Sequence, residues 1–233
     1  MIDCYDDVLN KFYTISTKLA DAEVKAGRPT GKVHLVVVSK NHHIACIRPL
    51  LEVGHRMFGE NRIQEARNKW SALKHSFSDI ELHLIGPLQT NKIKEAVEIF
   101  DVIETIDRPK VAIALAKEMK NCCRRLRCFI QVNIGVEMQK SGVLPEIADV
   151  FIEDCRHRLQ LPIEGLMCIP PHGVNPMPYF IRLADMARRH DLSQLSMGMS
   201  EDYSCAVLSG ATYVRIGTAI FGNHKIKPES NIT

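Results

Sequence analysis

VHLVVVSK, residues 33–40, decides how the rest of the chain is read. Val33, Leu35, Val36, Val37 and Val38 make a run that is apolar at consecutive positions instead of alternating. A strand reads this way when helices cover one side and a packed barrel interior fills the other. Seven further short runs follow: HRMFG (55–59), ELHLIG (81–86), DVIET (101–105), CFIQVN (128–133), IEGLMC (163–168), QLSMG (194–198) and TYVRIG (212–217). Helical patterns stand between them. Ile93, Ala96, Val97 and Phe100 form one apolar stripe, and Ile147, Val150, Phe151 and Cys155 form another. Asp107, Arg108 and Pro109 look like one helix start, and Ser200 before EDYSCAVLS looks like a second that stops at Gly210. Eight β/α units in this length predict an α/β fold, a single (β/α)8 TIM barrel spanning 1–233 as one domain, with a doubly wound open sheet as the alternative. An extra N-terminal helix, with Val8, Phe12, Ile15 and Leu19 on one face, plugs or flanks that barrel.

Bulk properties agree with a globular protein. The chain has 233 residues, 45% apolar and 24% charged, enough to bury one large core. Its net charge of +3 is the remainder of 30 basic and 27 acidic residues, so no global field points to nucleic acid or an anionic membrane. The opening MIDCYDDVLNKFYTIS has aspartates where a signal peptide needs a basic start and an apolar run, and a cytoplasmic location is expected. No apolar run approaches the roughly 20 residues of a membrane helix. The eight cysteines (4, 46, 122, 123, 128, 155, 168, 205) show no CxxC or HxxxH spacing and read as reduced thiols, with neither a disulfide framework nor a metal site.

In such a barrel the loops after the strands build the functional face. Here those positions are polar: Ser39 and Lys40, then Gly59 to Arg62, Gly86 to Thr90, Asn133, Ser196 to Ser200, and Arg215 to Thr218. Lys40 ends a buried run, so its amine can project into the barrel mouth. Desolvation and a cation such as Arg215 would both favour the neutral amine that attacks an aldehyde to give a Schiff base. A lysine at a strand end that simply reaches solvent satisfies the same position. The last two loops, SMGMSED and RIGTAIFG, shift the balance toward a ligand. Barrels commonly bind phosphate there, Gly198 and Gly217 permit close backbone approach, and the Ser200 and Thr218 hydroxyls can donate to phosphate oxygens while capping a helix. A nucleotide P-loop over Gly217 to Gly222 is rejected, because Asn223 and His224 stand where lysine and serine or threonine are required.

The blocks VVSK (37–40), FGENRIQEA (58–66), HLIGPLQTNK (83–92), QVNIGVEMQKSG (131–142), GLMCIPP (165–171), LSMGMSEDYSCAV (195–207) and VRIGTAIFG (214–222) together give the chain its resemblance to the YggS/PROSC family of pyridoxal phosphate homeostasis proteins. That resemblance implies the barrel of the alanine racemase N-terminal domain, pyridoxal 5′-phosphate (PLP) as cofactor, and Lys40 as its Schiff-base lysine. It further implies phosphate contacts at Ser200, Gly217 and Thr218, a ring-nitrogen contact at Arg215, Asn61 near the cofactor's other edge, and Ser196 close to the phosphate loop. An arginine facing a pyridine nitrogen keeps that nitrogen unprotonated and weakens the ring as an electron sink. An ion pair between Arg215 and Glu60 is the plainer reading. Lys140 aligns with a family lysine whose role stays open. KNHH (40–43) departs from the family, which places a small residue after its lysine.

A PLP racemase needs acid/base groups on both faces of the substrate carbon, and related racemases draw a tyrosine from a second domain of the partner subunit. None of Tyr5, Tyr13, Tyr179, Tyr203 and Tyr213 falls in a strand-end block facing the expected ring position. The expectation is therefore a carrier or buffer in intracellular vitamin B6 homeostasis without established catalysis, with PLP as its small-molecule ligand and PLP-dependent apo-enzymes as partners. An amino-acid racemase is the alternative. Nucleic acid, suggested only by KEMKNCCRRLRC (117–128), is not expected, because that run reads as the solvated end of a helix.

Overall fold

The computed structural model describes residues 2–222, so Asn223 and His224, on which the P-loop was rejected, lie outside the described residues. Eight parallel strands close on themselves in sequence order. They are β1 (His34–Val38), β2 (Met57–Glu60), β3 (Glu81–Leu84), β4 (Val102–Ile106), β5 (Arg127–Val132), β6 (Ile163–Cys168), β7 (Gln194–Ser196) and β8 (Tyr213–Ile216). All eight strand readings hold, with ends displaced by a residue or two. The second starts later than expected, at Met57, whose carbonyl meets the His55 ring at 2.7 Å.

Around the strands stand α1 (Ile2–Lys25), α2 (Ile44–Glu52), α3 (Ile63–Ser76), α4 (Ile93–Ile99), α5 (Pro109–Asn121), α6 (Pro145–Glu153), α7 (Met177–Arg189), α8 (Tyr203–Leu208) and α9 (Thr218–Phe221). Among the described residues β8 is followed only by the four-residue α9, which falls short of a full covering helix. The N-terminal helix supplies one: α1 flanks the barrel, packing on α2, α8 and α9 with Val8, Ile15 and Leu19 buried. The stripe assigned to α6 is corrected. Ile147 and Val150 are exposed, whereas Ala148, Phe151, Ile152 and Cys155 face the sheet at i, i+3, i+4, i+7 spacing.

Two helix starts also differ from the reading. Pro109 does open α5, but the residue before it, Arg108, is the N-cap, and Asp107 spends its carboxylate on the Arg108 guanidinium. Ser200 does not cap α8, whose first residue is Tyr203 and whose N-cap is Asp202.

Within the closed sheet, alternate residues point inward. Val36, Val102, Phe129, Met167 and Tyr213 pack as an apolar cluster there. Polar groups share this space: His83, Glu104 and Ser196 are fully buried, and Arg215 nearly so. The larger apolar core lies between the sheet and the helices and includes Val37, Phe58, Trp70, Leu82, Ile103 and Ile130.

The turns after β2 and β3 touch. A Cβ at Gly86 would lie 2.2 Å from the Asn61 carbonyl oxygen, and a backbone atom cannot yield as a flexible side chain would. The Gly86→Ala variant should therefore lose about 1–3 kcal/mol of stability by overpacking. Urea unfolding of the two proteins is the measurement, and equal midpoints would contradict it.

Candidate functional site

A cavity of about 1380 Å3 opens at the C-terminal ends of the strands. Lys40, Asn61, Ser200, Arg215, Gly217 and Thr218, drawn from positions up to 178 residues apart in sequence, all line it. Period-two alternation explains the first: Val38 and Lys40 follow Val36 on the inward side of β1. The expected desolvation of Lys40 is not found, since the side chain is exposed at the rim.

The backbone on either side of Lys40 is held by a buried polar cluster. Ser39 Oγ donates to Glu60 Oε1 at 2.6 Å, and Trp70 Nε1 donates to the same oxygen at 3.0 Å. Lys69 Nζ reaches Glu60 Oε1 at 2.8 Å, Glu65 Oε1 at 2.9 Å and the Ser39 carbonyl at 2.7 Å. Beyond the lysine, the Asn41 N–H donates to Glu65 Oε1 at 2.5 Å. Asn41 adopts a left-handed conformation, φ 62°, which asparagine tolerates better than most residues. In the departure from the family pattern, both Asn41 and His42 therefore face the cavity, and His42 stacks on Phe221 with ring centroids 4.4 Å apart.

On the adjoining wall, Ser200 Oγ accepts the Ala219 N–H at 3.3 Å and so ties the loop after β7 to the start of α9. Gly217 lets β8 pass close to β1, because a Cβ there would sit 2.9 Å from the Val38 carbonyl oxygen. Two residues before Gly217, Arg215 projects inward from β8 with 4% exposure. Its Nη1 donates to Ser196 Oγ at 2.6 Å and its Nη2 to the Cys168 carbonyl at 2.8 Å. The ion pair with Glu60 does not form: Glu60 belongs to Lys69, and the carboxylate beside Arg215 is that of Glu104, 3.8 Å away. Ser196 does not line the cavity. It lies fully buried behind Arg215 and donates its own hydroxyl proton to Glu104 Oε2 at 2.6 Å.

Sequence reading missed several contributors. The loop after β6, from Pro170 to Pro176, forms a whole wall of the cavity. Lys140 meets it there, donating to the Pro170 carbonyl at 3.0 Å while pairing with Glu137. Asn133, a strand-end candidate, turns away and binds the Glu137 and Lys140 carbonyls. Below Arg215 runs a ladder of charge that no motif announced. Glu104 Oε1 meets His83 Nδ1 at 2.6 Å, His83 Nε2 meets Glu81 Oε1 at 2.8 Å, and Glu81 pairs with Arg127. The signal available was a single ionisable residue inside each of the runs VIETI and LHLI.

Burial opposes charge on each of these groups, yet the partners prevail. The His83 imidazole is held above its ordinary pKa by Glu104 and Glu81 despite complete burial. Glu104 is held below its ordinary value by His83, Arg215 and the Ser196 hydroxyl. Glu81 is lowered from 4.5 to about 2 by His83 and Arg127. In contrast, burial pushes the Cys168 thiol up to about 12 and leaves it an inert packing group.

The barrel and its mouth are of the alanine racemase type: the family described as alanine racemase, N-terminal domain, matches residues 20–225. A pyridoxal phosphate homeostasis protein of Vibrio cholerae is 37% identical over 218 residues, 89% of this chain and 92% of that protein. One of Escherichia coli is 34% identical over 234 residues, covering 93% and 97%. The chain belongs to the pyridoxal phosphate homeostasis protein family. PipY of Synechococcus elongatus with PLP bound shares the structure at a TM-score of 0.75 and 34% identity, covering 88% of this chain and 100% of that one. Alanine racemase from Corynebacterium glutamicum, 16% identical with a TM-score of 0.67, shares the fold over 97% of this chain and 64% of its own. Among the described residues no helix is long and apolar enough to cross a membrane.

Two outcomes test these clusters. Lys69→Ala strands the buried Glu60 carboxylate and should cost about 3–5 kcal/mol in urea unfolding. Glu81 has a depressed folded-state pKa, so its contribution is present above pH 4.5 and is lost as the pH falls toward about 2. Across that window the unfolding free energy of Glu81→Gln should depend less steeply on pH than that of the wild type.

Proposed function

We propose that this chain, as one barrel domain, binds PLP at the cavity and serves intracellular PLP homeostasis in the cytoplasm, as a carrier or buffer that supplies apo-enzymes. The observation that carries this reading is the placement of Lys40 and the hydroxyl-bearing loops of Ser200 and Thr218 on the walls of one cavity, which Arg215 also lines. The donor set fits the group. An amine stands ready for an aldehyde, hydroxyls and the start of α9 suit a phosphate, and a guanidinium suits a ring nitrogen. The kinship with proteins named for PLP homeostasis, and with a relative solved with PLP bound, supports the same assignment.

When bound, the cofactor would supply a reactive aldehyde. Lys40 would supply the amine at the rim, where solvent reaches it for loading and unloading. Ser200, Gly217 and Thr218 would hold the phosphate end, and Asn61 would border the far edge of the ring. Arg215, held from behind by Ser196, would face the ring nitrogen as a cation, a setting that weakens carbanion chemistry. None of the five tyrosines lines the cavity among the described residues, so the acid/base residue that related racemases use has no counterpart at these walls.

The test is an absorbance spectrum after incubation with PLP, followed by borohydride reduction and mass spectrometry. Wild type should turn yellow and retain the cofactor's mass on the peptide containing Lys40. Lys40→Ala should do neither, and a colourless wild type would refute the assignment.

A further inference from the structure

We propose that Glu104 is a positioning residue for the ring subsite: acting through the Ser196 hydroxyl, it fixes the Arg215 guanidinium and sets the electrostatic potential that the ring nitrogen meets. This rests on the assignment of PLP to the cavity. Glu104 itself does not line that cavity. Its Oε2 accepts from Ser196 Oγ at 2.6 Å, and the same hydroxyl oxygen accepts from Arg215 Nη1 at 2.6 Å. A serine has one proton, and here it is given to Glu104. The hydroxyl is therefore a directed link, with the guanidinium donating at one end and the carboxylate receiving at the other.

The spacing has an electrostatic consequence. Arg215 and Glu104 stand 3.8 Å apart with 4% and 0% exposure, too dry for water to screen either charge. The ring-facing cation is thereby partly offset by an anion one layer deeper. Of the guanidinium's five N–H donors, Nη1 gives one to Ser196 and Nη2 one to the Cys168 carbonyl, so others remain for the cavity side.

The titratable groups around this pair come from β3, β4, β5, β6 and β8, with His34 of β1 beyond them, its ring centroid 5.0 Å from that of Tyr213. Glu104 on β4 meets His83 on β3 at 2.6 Å. Beyond His83 lie Glu81 on β3 and Arg127 on β5, which approaches Glu164 on β6 at 4.0 Å and donates to the Tyr213 hydroxyl on β8 at 3.1 Å. The ladder alternates in sign when His83 is protonated, as its two carboxylate partners favour. Glu104 is thus kept ionised, and its charge is available to Arg215.

Removing that charge leaves Arg215 uncompensated. In PLP-loaded Glu104→Gln the more positive potential disfavours protonation of the bound chromophore. The pH midpoint of its colour change should then fall by on the order of one unit. Glu104→Asp, which keeps the charge on a shorter stem, should return the midpoint toward wild type. A Glu104→Gln protein that loses stability while its midpoint stays in place would show a merely structural role and overturn the proposal. If that variant does not fold, Ser196→Ala carries the test, because cutting the hydroxyl link must also move the midpoint, and an unmoved one refutes the link. A wild type that takes up no colour at all would strike the PLP assignment itself. A coloured wild type with insensitive variants strikes only the role of Glu104.

Discussion

Val36 lies opposite Arg215 and Val37 opposite Ile216, a register that joins the first strand of the barrel to the last. One residue past this pairing β1 ends at Val38 and two further on Lys40 enters the cavity, while β8 passes directly into Gly217 and Thr218. Lys40 and the loop of Gly217 and Thr218, up to 178 residues apart in sequence, thus become neighbours through the pairing of the first strand with the last. An open sheet of the same strands would leave them at opposite edges. Gly217 permits the approach, and the turns after the intervening strands complete the wall.

The barrel was legible because its signal is repeated. Eight short apolar runs, each followed by a helical stripe, leave few alternative topologies once parallel pairing is required. Strand-end residues were legible for the same reason: the position of Lys40 follows from the parity of Val36 and Val38. What depended on tertiary neighbours was not legible. Ser196 stood in a polar strand end beside the phosphate loop, but inward alternation buries it under Arg215. Ile147 and Val150 fit a helical period as well as Ala148 and Ile152 do, and only packing against the sheet chooses between them. The partner of Arg215 is Glu104 because Lys69, one helix away, has already claimed Glu60.

Both buried acid clusters carry a cost in desolvation that an apolar filling would avoid. Their positions suggest what is gained. Glu60 collects Ser39, Lys69 and Trp70 directly beneath the turn that bears Lys40, so a flexible side chain starts from a rigid base. Glu104 does the same for Arg215 from below. In both cases a carboxylate that never meets solvent grips a serine hydroxyl beside the cavity, Ser39 just before Lys40 in one and Ser196 behind Arg215 in the other.

The N-terminal helix stands where an eighth barrel helix would otherwise cover β8. Since α1 packs on α8 and α9 as well as on α2, and β1 pairs with β8, the first helix and strand complete their packing only against elements roughly 180 residues further along the chain. Contacts between such distant positions are slow to form. The apolar face of α1 that carries Val8, Ile15 and Leu19 is begun by α2 but completed, together with the closure of the cavity, only when the last strand joins the first.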